Sequence, residues 1–129
     1  MKFSEEKKER YVLINLEEEK LDTTVAPELK SEFVKIHGEG IKNIILNLEK
    51  TKYIDSSGLS AVLVANRLCD NANGQLVICC VSDHVMKLFS ISQLESVINI
   101  LPTKEEAIDA IFMNDIENDL KSNDTEKGE

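Results

Sequence analysis

A chain of 129 residues suits one domain, and its 42% apolar content supplies a packed core and excludes general disorder. With 24 acidic against 15 basic residues, the formal net charge of −9 opposes direct nucleic-acid binding and attraction to anionic lipid. No run approaches the roughly 18 consecutive apolar residues of a membrane helix, and "MKFSEEKKER" lacks the apolar centre of a signal peptide, so a cytoplasmic location without membrane insertion is expected.

The first strand is expected in "YVLINLEE", with a short edge strand before it. A polar turn leads into "LDTTVAPELKSEFVKIHGEG". There Pro27 suits a first helical turn, and Val25, Leu29, Phe33 and Ile36 recur at near-helical spacing until Gly38 and Gly40 end the helix. "IKNIILNL" is short and almost continuously apolar, as a strand covered on both faces must be.

A second helix is expected from the serines of "YIDSSGLSAVLVANRL" to about Ala72, where "NANG" closes it. "QLVICCV" is the next buried strand, "SDHVMKLFSISQL" a short helix begun by the capping types Ser82 and Asp83, and "VINIL" a final strand. In "PTKEEAIDAIFMNDI" the Thr103 to Glu106 spacing is that of a capping box, ahead of Ala107, Ile108 and Ile111 on one face. The domain is therefore expected to occupy residues 1–113, with 114–129 as an acidic, frayed tail, because "ENDLKSNDTEKGE" offers only Leu120 as a large apolar residue.

This alternation implies a single α/β domain: a mixed, mostly parallel sheet of four to five strands with about four helices. Cys69, Cys79 and Cys80 read as reduced, mostly buried thiols. No C-x-x-C or H-x-x-x-H spacing joins them to His37 or His84, so neither a metal site nor a cofactor is expected.

The "DSSG" loop should lie at the carboxyl end of a parallel strand, where open α/β sheets commonly place their sites. Ser56 or Ser57 can serve there simply as a helix cap. Either can instead carry a phosphate, for which the free amides and positive dipole end of a helix are ready donors. In the helix that follows, Ala61, Val64, Ala65 and Leu68 form one stripe while Leu59, Val62 and Leu63 lie off it. That excess fits either a helix sandwiched between the sheet and a neighbouring helix or a partner-binding face.

"YIDSSGLSAVL", taken with the earlier "KLDTTVAPELK", resembles the STAS domain family, and among its members the small anti-sigma factor antagonists of bacteria; the resemblance covers about residues 5–113. It implies that Ser57 is the phosphoacceptor, with Ser56 as second choice and Ser60, which stands where glycine often follows "G-L", as a minor rival. It further implies a partner-binding surface of Asp22, Asp55, Ser56, Ser57, Gly58, Leu59 and Val62.

The function so implied is partner switching. Unphosphorylated, the protein would bind an anti-sigma factor that is also a serine kinase, freeing a sigma factor for transcription; phosphorylation of Ser57 would release the kinase, and a serine phosphatase would reset the switch. The kinase would be a separate protein, since neither a Walker loop nor a kinase signature is present. Within the same fold the alternative is a constitutive STAS adaptor of a stressosome-like or lipid-transport complex. An enzyme using Ser57 as nucleophile with His37 or His84 as base is disfavoured, because Asp55 and Leu59 occupy the positions where the hydrolase elbow needs glycine.

Overall fold

Alternate residues of a strand face opposite sides of its sheet, and in this chain both sides are apolar. The computed structural model describes the backbone of residues 2–128 and the side chains of residues 2–120. In chain order the elements are β1 (Phe3–Lys7), β2 (Val12–Leu16), β3 (Lys20–Leu21), α1 (Ala26–Gly38), β4 (Ile44–Asn47), β5 (Tyr53–Ile54) and α2 (Ser56–Asn71). There follow β6 (Leu76–Cys79), α3 (Asp83–Ile91), a 3-10 turn at Leu94–Ser96, β7 (Asn99–Leu101) and α4 (Lys104–Gly128).

The main sheet has the order β1-β2-β4-β6-β7. β1 is antiparallel to β2, and every other neighbouring pair is parallel. Those parallel strands are connected through α1, α2 and α3, as crossover connections require. The mixed, mostly parallel sheet with four helices is the architecture the sequence predicts. A separate pair, β3 with β5, was not expected from the sequence; its two-residue strands are too short to show any periodicity.

On one face Val12, Ile14, Ile44, Leu46, Leu76 and Ile78 pack with buried side chains of α1, α2 and α3. On the other, Leu13, Ile45, Val77 and Cys79 meet Ala107 and Ile111 of α4. Desolvation at these positions pushes the Cys69 and Cys79 thiols up to about 12, which keeps both protonated and inert. The first helix ends where its spacing predicts, and Gly40, with φ of +84°, supplies the left-handed turn out of it.

α4 continues beyond residue 113, where the sequence places the end of the domain. Asp115 is buried and receives Arg10 at 3.2 Å, Lys42 at 3.6 Å and the Asn43 side-chain amide at 3.2 Å. The buried Asn43 also donates to the Arg10 carbonyl and accepts from the Gln75 amide, tying the starts of three strands to this carboxylate. The packed unit therefore includes at least Asp115, which the sequence hides because a single aspartate in a polar stretch carries no hydrophobic signal. The side chains of 121–129, on which much of the expected frayed tail falls, lie outside the described residues. Among the described residues no helix is long and apolar enough to cross a membrane.

Candidate functional site

The short pair β3 and β5 sets the geometry of the "DSSG" loop. Lys20 lies opposite Tyr53 and Leu21 opposite Ile54, in parallel register, with both Leu21 and Ile54 buried as anchors. The Asp55 amide donates to the Leu21 carbonyl at 3.2 Å. Asp22 and Asp55 are consequently the next residues off the same ends of two adjacent strands. Two positions 33 apart in sequence thus become neighbours; Asp55 immediately precedes α2, and Asp22 opens the turn that leads into α1.

Their chemistry is parallel. The Asp22 carboxylate accepts from the Thr24 amide at 3.0 Å and its hydroxyl at 2.6 Å, while the Asp22 carbonyl takes the Val25 and Ala26 amides at the start of α1. The Asp55 carboxylate accepts from the Ser57 hydroxyl at 2.6 Å and the Gly58 amide at 3.0 Å at the start of α2. These hydrogen bonds favour the charged forms, so Thr24 holds Asp22, and Ser57 and then Gly58 hold Asp55, below the ordinary carboxylate value. The nearby Asp22 charge opposes this at Asp55, but more weakly than the hydrogen bonds favour it.

Asp55, rather than either serine, is the helix cap. Its extended backbone and short carboxylate meet the same requirement one residue upstream, leaving Ser56 and Ser57 as the first helical residues. A phosphate here would find fewer open amides than expected, because the Gly58 amide already serves Asp55. Ser56 is exposed and Ser57 half-buried, its hydroxyl directed onto Asp55.

Gly58 is buried, and a Cβ added there would lie 2.4 Å from the Leu21 carbonyl oxygen. Its role is to let α2 approach β3, not to touch a partner. Val62 is also removed from the expected contact surface, being 0% exposed within the core. Leu59 is half-buried and remains at the rim, and Ser60 is half-buried as well. The apolar excess of α2 has the sandwich explanation: α2 packs on α1 as well as on the sheet, and Leu59, Leu63 and Leu68 are partly covered against that core.

Tyr53, which the sequence did not single out, lies two residues before Asp55 at the candidate site. It is 43% exposed on β5, and its ring stacks on His84 at the start of α3 with centroids 6.5 Å apart. The available signal was an aromatic residue left outward by the alternation with buried Ile54. Among the described residues the Ser57 hydroxyl bonds to Asp55 and to neither imidazole, and His37 sits at the far end of α1. No serine–histidine pair is assembled among them.

A model of the STAS domain family matches residues 2–107. The chain belongs to the STAS domain family. Among STAS proteins of known role, it is 30% identical over 80 residues to the anti-sigma-B factor antagonist of Staphylococcus aureus, covering 62% of this chain and 74% of that protein. Its fold matches the anti-sigma factor antagonist SpoIIAA in its unphosphorylated form with a TM-score of 0.68 and 27% identity, over 84% of this chain and 96% of that one. The phosphorylated form of SpoIIAA, a Bacillus cell fate determinant, matches with a TM-score of 0.67 and 28% identity, over 84% and 98% of the two chains.

Proposed function

We propose that this STAS protein is an anti-sigma factor antagonist governed by phosphorylation of Ser57. With Ser57 unmodified, the surface formed by Asp22, Asp55, Ser56, Ser57, the rim of Leu59 and the Tyr53 ring binds an anti-sigma factor that is also a serine kinase. Transfer of a phosphoryl group to Ser57 releases that partner, and a serine phosphatase restores binding.

The observation that carries this reading is the bond from the Ser57 hydroxyl to the Asp55 carboxylate, with Asp22 beside it. A phosphoryl group consumes the hydroxyl hydrogen and adds about −1.5 to −2 charges next to two carboxylates. The loop cannot keep its present hydrogen bonds, and its surface becomes strongly anionic. A change of about 2.8 kcal/mol in association is enough to weaken binding roughly 100-fold. The likeness to SpoIIAA, known in both unphosphorylated and phosphorylated forms, supports a switch rather than permanent attachment.

The test begins by recovering the partner by affinity purification and incubating it with this protein and ATP. The expected partner is an ATP-binding kinase that phosphorylates the wild-type chain and not Ser57→Ala, and that dissociates from the modified form. Phosphate incorporation into Ser57→Ala at the wild-type rate overturns the assignment of the acceptor. Recovery of transporter or scaffold subunits that bind regardless of ATP overturns the switch in favour of a constitutive adaptor.

A further inference from the structure

Between Glu105 and Leu120 the outward face of α4 combines apolar exposure with acidic side chains, and the Arg10 guanidinium lies at its edge. Phe112, Met113, Ile116 and Leu120 are 42%, 58%, 53% and 57% exposed. Positions 112, 116 and 120 recur every four residues with 113 beside them, so the four form one stripe, turned away from the Ala107 and Ile111 contacts with the sheet. The remaining exposed residues of the helix between Glu105 and Leu120 are Glu105, Glu106, Asp109, Glu117 and Asp119. No basic residue occurs anywhere in that span.

The stripe is presented at a fixed angle. Asp115, on the inner side of the same turns, is gripped by Arg10, Lys42 and Asn43, which holds this part of α4 against the sheet. Arg10 also illustrates the chemistry of the outer face: its guanidinium lies 5.9 Å from the centroid of the Phe112 ring while it pairs with Asp115. A cation there is met by both an aromatic face and a carboxylate.

We infer that the outer face of α4 is a docking surface for a cationic amphipathic helix of another protein, whose apolar side covers Met113, Ile116 and Leu120 and whose lysines or arginines meet Asp109, Glu117 and Asp119. Charge selects this occupant. Two copies of the chain would oppose acidic faces to each other, and an anionic lipid surface would be repelled. An apolar stripe lined with acidic residues complements a helix with the opposite charge, laid lengthwise as helix-in-groove partners are. The Ser57 loop begins a helix on the other face of the sheet, so this surface is independent of the proposed switch.

The probe is a fluorescein-labelled synthetic peptide of 20 leucines and lysines, about three turns longer than the stripe, with the leucines at helical spacing. A control has the same composition in strict alternation. Fluorescence anisotropy with the full chain is expected to show binding of the first peptide and much weaker binding of the second. Ile116→Ser with Leu120→Ser should weaken binding about tenfold or more. Asp109→Asn with Glu117→Gln should weaken it at low salt and flatten its salt dependence. All four positions are exposed, so the thermal midpoint should hold in both double variants. Ser57→Asp should bind the peptide as the wild type does, so this result and the fate of the switch are separable.

Equal binding of the two peptides, or unchanged affinity in the serine double variant, overturns the inference. So does a concentration-dependent dimer abolished by Ile116→Ser with Leu120→Ser, which would make a second copy the occupant, or preferential binding to phosphatidylglycerol vesicles over the peptide.

Discussion

The Ser57 hydroxyl donates to the Asp55 carboxylate across 2.6 Å, and the same carboxylate caps the helix on which Ser57 stands. One side chain therefore orients the candidate acceptor and fixes the start of α2. Removing the cap and changing the acceptor's surroundings are the same operation.

Asp55→Ala should lower stability by about 1 kcal/mol at pH 7, measured by urea unfolding, whereas Asp55→Asn should lose only a few tenths because asparagine caps nearly as well. The two also differ with pH. The folded-state value of Asp55 is depressed, so its stabilisation is complete above the unfolded carboxylate value and is lost as pH falls through the folded one. The wild-type advantage over Asp55→Asn should accordingly shrink on acidification and not reappear at lower pH.

Gly58→Ala should destabilise the protein by about 1–3 kcal/mol, because the added methyl meets the Leu21 carbonyl, a backbone atom that cannot rotate away. The urea midpoint should fall with an unchanged slope. Since the clash forces α2 away from β3, the proposed switch requires that the variant also be a poorer kinase substrate than its stability alone explains.

Glu5 shows the opposite pH behaviour to Asp55. Partial burial on β1, reinforced by a hydrogen bond and repulsion from Glu32, pushes it up to about 7. A raised folded-state value means the folded protein holds a proton that the unfolded chain releases at lower pH, so stability should decline as pH rises between about 4.5 and 7. Glu5→Gln should remove much of that decline, checked by comparing urea midpoints of the two proteins at pH 5 and pH 8.

The central strands of the main sheet were legible as short, almost continuously apolar runs, as in Val12 to Leu16, and the helices by their own period, as in Leu29, Phe33 and Ile36. The pairing of β3 with β5 was not, since Lys20–Leu21 and Tyr53–Ile54 are recognisable only when seen side by side. For the same reason the nearness of Asp22 to Asp55 came from family resemblance, not from spacing. Val62 was misplaced because an apolar residue off the sheet-facing stripe looks the same whether it faces solvent or another helix; the packing of α1 on α2 decides it. Asp115 was invisible because its meaning lies in Arg10, Lys42 and Asn43, all more than 70 positions away, from 72 for Asn43 to 105 for Arg10.

The hydrogen bond from the Asp55 amide to the Leu21 carbonyl joins the loop to a strand contributed from before α1. A molecule that grips the Ser57 edge thereby fastens two remote stretches of backbone at once. In deuterated water, its arrival should slow isotope uptake at the amides of residues 53–55 and 20–22 together, although only the first of these stretches adjoins Ser57 in the chain.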